Sequence, residues 1–373
     1  MEKLSYIIES ANSLVWGTPT LVLIIAVGVY YTVSLRFFQL SRLPLWLSNT
    51  LFAIFREKGI RKKGEKKAFT QFQAMATSLA ATVGTGNIAG VGTAISVGGP
   101  GAVFWMWFCS LFSMMTSYAE NSLGIFYRRK DRNGEWLGGP MYYLKDGFSK
   151  GNVSKKIGAA LAVLFSAFTL FASFGIGNMT QSNSISVALS SSLGISKAAV
   201  GIVVFALTLF VVLGGSERIG ALTEKLVPFM ALFYISASLF IIFSNAREIP
   251  HIFSAIFKSA FSPEAAAGGF SGAAIKKAVS VGFRRGVFSN EAGLGSTVMV
   301  GSSSSVKEPA VQGMWGIFQV FVDTLVICSM TALVLLSVSV KTVPLSKALL
   351  DSSGKVQYVS LDSSHDGETV RLC

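Results

Sequence analysis

A long uncharged run with a glycine-rich centre constrains this chain more than any other stretch. It extends from Thr77 to Gly99, and its middle reads Gly84-Thr85-Gly86-Asn87. Glycine costs about 1 kcal/mol relative to alanine inside a helix, so the centre is a poor helix former. Within lipid, a break in a helix is tolerated only where it is buried in protein or lines a cavity. The run therefore predicts a membrane-embedded helix that is interrupted.

Two interpretations of these glycines remain open on spacing alone. A broken helix near the bilayer midplane is typical of ion and substrate sites in secondary transporters. Alternatively, Gly86 and Gly90 form a GxxxG pair that lets an unbroken helix pack closely on a neighbour. A dinucleotide-binding interpretation of Gly84–Ala89 is disfavoured, because that motif needs a preceding strand and an acidic residue about 20 positions later. No acidic residue lies near that position, where the run Trp105–Phe112 is apolar.

Composition indicates an integral membrane protein with several spans. Hydrophobic residues make up 51% of the 373 residues and charged residues only 14%, against about 25% charged in soluble chains. The net charge of +13 does not indicate nucleic acid, because the basic residues lie in short loops between apolar spans. The scattered cysteines and the two histidines give no metal-site spacing, so no cofactor is expected. No His/carboxylate or Ser/Lys constellation lies in the spans, and we do not expect an enzyme.

Hydropathy predicts one transmembrane domain over residues 1–340 and a polar tail over 341–373. We expect about eight spans, each long enough to cross the bilayer. They are residues 14–35, 71–97, 102–126, 157–180, 198–214, 219–243, 273–300 and 311–340. The basic segments Arg56–Lys67 and Tyr127–Lys156 are predicted to be cytoplasmic. The N-terminus and the weakly charged loop Ser182–Lys197 then lie outside a plasma or inner membrane.

The span 273–300 is interrupted in the same manner as the span 71–97. Two interrupted hydrophobic segments at corresponding positions indicate the binding site of an inverted-repeat transporter. Arg284, Arg285 and Glu291 lie in or beside this second break. Charges inside a membrane are costly and should pair or face water. They either form a structural Arg–Glu lock or act directly in gating or ligand binding.

Four further residues carry the same ambiguity between structure and binding. Asp323 in the last span and Glu120 near the end of the third are each interpreted as satisfied structural groups or as ligands. Phe174 and Gln181, at the end of the span 157–180, offer a phenyl wall and an amide. These suit a small zwitterion, or equally a polar link between helices.

Five motifs together give the chain a recognisable resemblance. They are Ala74–Gly90, Gly138–Tyr143, Gly175–Asn183, Gly286–Ser296 and Asp323–Ala332. Through them, from about Val15 to Leu336, the sequence resembles the alanine/glycine:cation symporter family, also called sodium:alanine symporters, of the amino acid–polyamine–cation superfamily. The resemblance implies an all-α polytopic membrane protein with a leucine-transporter-like inverted-repeat fold. It also implies sodium-coupled uptake of alanine, glycine or a similar small neutral amino acid by alternating access.

The resemblance also assigns roles to residues at the two breaks. Backbone N–H groups of Thr85 and Gly86 would bind the substrate carboxylate, and Asn290 through Gly293 would approach its amine. Phe174 and Gln181 would form a wall. Sodium, the coupling ion, would be bound by two sets of groups, which are the carbonyls of Ala80 and Val83 and the residues Thr82 and Asn87.

The sequence departs from the family after its last predicted span. Family members continue for about three more spans, whereas residues 341–373 are polar, so the second repeat is expected to be incomplete. The explanations are a fragment, a truncated reading frame, or completion by a second polypeptide. The alternative function is therefore a non-transporting membrane remnant or a partner subunit of such a symporter. Besides the lipid bilayer and the substrate, a second chain that supplies the missing spans is the expected partner.

Overall fold

A computed structural model describes residues 6, 10, 12, 15–56, 58–61, 68–148, 151–175, 177–261 and 271–342. Most of residues 1–13, which precede the first predicted span, lie outside the described residues. So do most of the basic block Arg56–Lys67 and the part of the predicted polar tail after residue 342.

Helices account for nearly all of the first half of the chain. In order they are α1 (Thr18–Ser34), α2 (Phe38–Ser41), α3 (Leu43–Asn49), α4 (Leu51–Arg56), a 3-10 turn (Lys58–Arg61), α5 (Gln71–Thr82), α6 (Ala89–Gly98) and α7 (Gly101–Phe126). Thr70 starts α5 with a capping box. Its hydroxyl accepts the N–H of Gln73 at 3.0 Å, and the Gln73 amide oxygen accepts the N–H of Thr70 at 3.1 Å.

A short hairpin and an interfacial helix follow α7. Strands β1 (Arg129–Lys130) and β2 (Trp136–Leu137) pair antiparallel, with Arg129 opposite Leu137. The remaining elements are α8 (Pro140–Gly147), α9 (Asn152–Ser173), α10 (Met179–Leu193), α11 (Lys197–Val212), α12 (Gly215–Ser244), a 3-10 turn (Ala246–Glu248), α13 (Ile249–Phe261), α14 (Ser271–Asn290), α15 (Ser296–Ser302), α16 (Pro309–Val320), a π-helix (Phe321–Cys328) and α17 (Ser329–Thr342).

Four helical segments of the described chain are long and apolar enough to cross a membrane. They are Gly101–Phe126, Asn152–Ser173, Gly215–Ser244 and Pro309–Val338, the last running through α16, the π-helix and α17. Shorter apolar helices are α1, α6 and α11. The architecture is consistent with an all-α membrane protein.

Helix α7 lies at the centre of the packing. Residues of α1, α13, α14, α15 and α16 all contact it. Its buried Met114 and Met115 join a core that includes Trp315, Ile317 and Phe318 of α16. By contrast, α9 and α12 are mostly exposed and apolar, a surface composition suited to lipid.

The position predicted for the end of the fourth span is wrong. The sequence predicts one span over 157–180, whereas α9 begins at Asn152 and ends at Ser173, and α10 begins at Met179. Gly177 has a φ of 83°, which a continuing helix cannot accommodate, and the Asn178 side chain caps α10. Most of the predicted outer loop Ser182–Lys197 is therefore helical.

The two interrupted helices meet at one of their ends. Phe69, just before α5, forms a parallel bridge with Ser304, just after α15. The Phe69 N–H donates to the Ser303 carbonyl at 2.9 Å, and the Ser305 N–H donates to the Phe69 carbonyl at 2.8 Å. The start of the first broken helix is thereby fixed to the end of the second.

Candidate functional site

The first break lies between α5 and α6, where side chains replace helix carbonyls as acceptors. The Gly84 N–H donates to the Asn87 amide oxygen at 2.8 Å, and the Thr85 N–H donates to the Gln181 amide oxygen at 3.2 Å. In a continuous helix these two N–H groups would reach the carbonyls of Ala80 and Ala81. The break therefore releases carbonyl oxygens at the end of α5.

The second break, between α14 and α15, is built from left-handed backbone conformations. Glu291, Gly293 and Gly295 have φ values of 55°, 88° and 77°. A non-glycine residue in this region costs about 1–2 kcal/mol, so Glu291 is held there by its surroundings. Its carboxylate accepts a short hydrogen bond from the Ser296 hydroxyl, in the first turn of α15.

A third irregularity lies in the last membrane segment. Residues Phe321–Cys328 form a π-helix between α16 and α17. Such insertions are rare and frequently occur at functional sites. Here the π-helix carries Asp323 and Thr324, whose side chains are fully buried.

The three irregular segments converge on one buried polar cluster, which consists of Asn87, Ser289, Asp323, Thr324 and Cys328. The Asn87 amide nitrogen donates to one Asp323 carboxylate oxygen at 2.7 Å. The other Asp323 oxygen accepts the Ser289 hydroxyl at 2.8 Å and the Thr324 hydroxyl at 2.9 Å. Asn87 also donates to Ser289 at 3.1 Å and contacts the Cys328 sulfur at 3.4 Å.

The cluster is rich in side-chain oxygen atoms. Asp323 supplies a negative charge, and the Ser289 and Thr324 hydroxyls supply further oxygen atoms, which are the ligands that hard cations prefer. A buried carboxylate is costly unless its charge is balanced or well hydrogen-bonded. In the structure, hydrogen bonds from Asn87, Ser289 and Thr324 satisfy the Asp323 carboxylate.

Several residues predicted from sequence come together here, and others do not. Gly86 faces Ser289, since a Cβ atom at Gly86 would lie 3.4 Å from the Ser289 Cα. The Asn290 amide nitrogen lies 3.3 Å from the Thr324 hydroxyl. Thr82 is buried, and its hydroxyl donates to the Ser78 carbonyl at 3.4 Å. By contrast, the Phe174 side chain is 67% exposed and is not enclosed with them.

Two sequence expectations about this region need correction. Neither Arg284 nor Arg285 forms an ion pair with Glu291 in the described structure, where Glu291 bonds to Ser296 instead, so the predicted Arg–Glu lock is absent. The left-handed backbone at Glu291 ends the helical path that could have aligned these side chains. In addition, Gln181 does more than line a wall, because it occupies the Thr85 N–H that the resemblance assigns to substrate.

Sequence reasoning missed Ser289, Thr324 and Cys328 as members of the cluster. Each is a small residue, and Cys328 follows a run of apolar residues that gives no signal. The available signal was their position, because Ser289 precedes Asn290 at the second break and Thr324 follows Asp323.

Comparisons with known proteins bear on this geometry. The sequence pattern of the sodium:alanine symporter family matches residues 1–358. The sodium/alanine symporter AgcS of Methanococcus maripaludis is 44% identical over 338 residues, which are 91% of this chain and 72% of that protein. An uncharacterized transporter of Haemophilus influenzae is 41% identical, covering 88% of this chain and 69% of its own length. The probable sodium/glutamine symporter GlnT of Bacillus subtilis is 38% identical, covering 89% and 66%.

These matches indicate a multi-pass membrane transporter and not an enzyme. They support sodium-coupled symport of an amino acid, with sodium as the coupling ion. They do not favour the non-transporting alternative, and they do not support a second chain. The match spans nearly the whole sequence, and the chain belongs to the sodium:alanine symporter family.

Proposed function

We propose that this chain carries a small neutral amino acid, alanine or glycine being the preferred candidates, across the membrane together with sodium by alternating access. The observation that supports this most directly is the convergence of two broken helices and a π-helix on the Asn87–Asp323 cluster. Discontinuous helices that meet around a polar centre are the usual construction of secondary-transporter sites.

The proposed architecture is a leucine-transporter-like inverted repeat with α1 as an additional N-terminal helix. The interrupted pairs α5/α6 and α14/α15 would then be the first helices of the two repeats. In both pairs a helix stops and a second helix starts within a few residues, which supports this assignment although the backbone conformations of the two breaks differ. The excess of basic residues in Tyr127–Lys156 favours a cytoplasmic position for that segment, and hence an outer N-terminus.

We assign the sodium ion to the oxygen atoms around the first break. The carbonyls of Ala80 and Val83 are proposed for one position, and Thr82 with Asn87 for another. Asp323 and Ser289 extend the second set, because both contact Asn87 directly. A carboxylate beside the ion would balance its charge in a region that excludes water.

We assign the substrate to the space between the two breaks. Its carboxylate would bind the N–H groups of Thr85 and Gly86 and displace the Gln181 amide, which occupies the Thr85 N–H at 3.2 Å. Its amine would lie toward Asn290 and Gly293. Phe174, whose ring is exposed, would approach the substrate only if that ring moves inward on closure.

The test is uptake of radiolabelled alanine into proteoliposomes that contain the purified chain, with and without an inward sodium gradient. We expect uptake only with the gradient. Gly86→Leu should abolish it, because a side chain there would meet the backbone of Ser289. Gly92→Leu, in the helix that follows the break, is the matched control, since a Cβ atom there meets only the Leu335 side chain at 3.7 Å.

Alanine uptake that is independent of sodium would contradict the proposed coupling. Absence of uptake from a correctly inserted chain would contradict the transport proposal itself. Equal loss in Gly86→Leu and Gly92→Leu would show that any bulky residue in this segment is harmful, and would remove the argument for Gly86.

A further inference from the structure

Three residues spaced four apart at the end of α7 all contact the short helix α15 or its flanks. They are Glu120 and Gly124, within the helix, and Arg128, which lies two residues beyond its end. Residues at this spacing lie on one face of a helix. This face runs alongside α15 from the second break to the loop after it.

Glu120 holds the second break. Both of its carboxylate oxygens accept the Gly293 N–H, each at 3.2 Å, and the residue is only 6% exposed. Left-handed residues at Glu291, Gly293 and Gly295 fold the backbone there into a tight curve. Backbone N–H groups in such a curve form a concave site for an anion. Here the chain itself supplies the acceptor, the carboxyl group of Glu120.

Gly124 allows the two helices to approach closely. A Cβ atom at this position would lie 2.5 Å from a methyl carbon of Val298 and 2.8 Å from the Ser302 hydroxyl. Only glycine permits this separation without a shift of α15, so the packing of α15 against α7 is specified in sequence.

Arg128 holds the other end of α15. Its guanidinium donates to the carbonyls of Ser302 at 3.0 Å, Ser304 at 2.6 Å and Val306 at 2.5 Å. It also stacks 3.9 Å from the centre of the Trp136 ring. An acidic group at the start of a helix and a basic group at its end both interact favourably with the helix dipole.

We propose that Glu120 is a positioning residue for substrate binding, which it serves by fixing the backbone of residues 291–295. This inference rests on the proposed function, which places the substrate amine beside that break. A seven-residue helix is not stable alone, so α15 depends on contacts at its ends. In a trans peptide the carbonyl points opposite to the N–H. Because the Gly293 N–H faces Glu120, the Ala292 carbonyl points away from α7 and is free to accept from a ligand.

The experiment compares the wild type with Glu120→Gln, Glu120→Ala and the control Glu217→Gln. Glu217 is an exposed carboxylate in the first turn of α12, outside the proposed site. Initial rates of sodium-driven alanine uptake give KM and Vmax in proteoliposomes. Hydrogen exchange of peptides spanning residues 288–300 is measured on the same preparations and needs no transport activity.

Both oxygens of Glu120 reach the Gly293 N–H, whereas an amide has one acceptor oxygen. Glu120→Gln should therefore weaken the contact, and Glu120→Ala should remove it. We expect KM for alanine to rise about tenfold in the first variant and about a hundredfold in the second, with Vmax within about twofold. Exchange within 291–295 should accelerate in the same order. Glu217→Gln should change neither quantity.

Unchanged KM and unchanged exchange in both Glu120 variants would overturn the proposal. A loss of Vmax at constant KM would also overturn it, because that result describes a structural role and not a positioning one. If the wild type itself shows no uptake, the transport proposal fails. The exchange comparison then decides separately whether Glu120 holds the break.

Discussion

Replacing Asp323 with asparagine tests the centre of the proposed site. Asp323→Asn removes the charge and leaves the shape of the side chain nearly unchanged. The native carboxylate accepts three side-chain hydrogen bonds, from Asn87, Ser289 and Thr324. An amide has only one acceptor oxygen, so at least one of these donors loses its partner.

The expected effect on sodium affinity follows from the charge and the burial. A unit charge about 4 Å from a cation contributes about 4 kcal/mol at an effective dielectric constant of 20. The remaining hydroxyl and amide oxygens compensate in part. We expect a net loss of about 2–3 kcal/mol, which raises the half-saturating sodium concentration about 30- to 150-fold.

Two assays separate this effect from misfolding. The first is the sodium dependence of alanine uptake at fixed alanine. The second is the thermal midpoint Tm of the detergent-solubilised protein in sodium and in potassium. Leaving a buried donor without its acceptor costs about 1–3 kcal/mol, so Tm in potassium should fall modestly, and the increase in Tm that sodium gives the wild type should disappear. Asp146→Asn, which alters a part-exposed carboxylate paired with Arg129, is the matched control.

A variant with a half-saturating sodium concentration within about twofold of the wild type would refute this reasoning. The same holds if sodium still raises Tm by the wild-type amount. Either result would place the cation away from Asp323 and leave that carboxylate as a structural acceptor.

Two further predictions concern the supports of the breaks. Gly84→Ala should lower Tm, because a Cβ atom would lie 2.5 Å from the Gln181 amide nitrogen and disrupt the hydrogen bond between the Gln181 side chain and the Thr85 N–H. In a Gln181→Ala background the same change should lower Tm by less. Additive shifts in Tm would contradict this. Arg128→Ala should destabilise by about 2–4 kcal/mol because it removes charged hydrogen bonds to three carbonyls. Arg128→Lys should recover only part of this loss in thermal unfolding, since lysine lacks the planar fork and the stacking on Trp136, and full recovery would contradict the assigned geometry.

The breaks themselves could be predicted because glycine carries a local signal. Gly84 and Gly86, and then Gly293 and Gly295, mark positions where a helix is weakened whatever surrounds it. The π-helix could not be predicted in this way. Its sequence contains neither glycine nor proline, and its form depends on what packs against it.

The partners across the site were also beyond sequence reasoning. Arg284 and Glu291 looked like a pair because they are close in sequence and opposite in charge. In the structure, Glu291 accepts a hydrogen bond from Ser296, and Asp323 accepts one from Asn87, a residue 236 positions away. Local spacing specifies where a helix ends, whereas long-range packing specifies which side chains then meet.

The Asn87–Asp323 contact has a consequence for how the protein is made. The two residues are 236 positions apart, and a ribosome adds about 5–20 residues each second. Asn87 is therefore synthesised about 12 to 47 s before its acceptor, an interval that is long relative to helix formation. During that interval the first broken helix has no final partner for its polar centre. The nascent chain must keep this segment near water, translocon or other protein until the π-helix that carries Asp323 has been added.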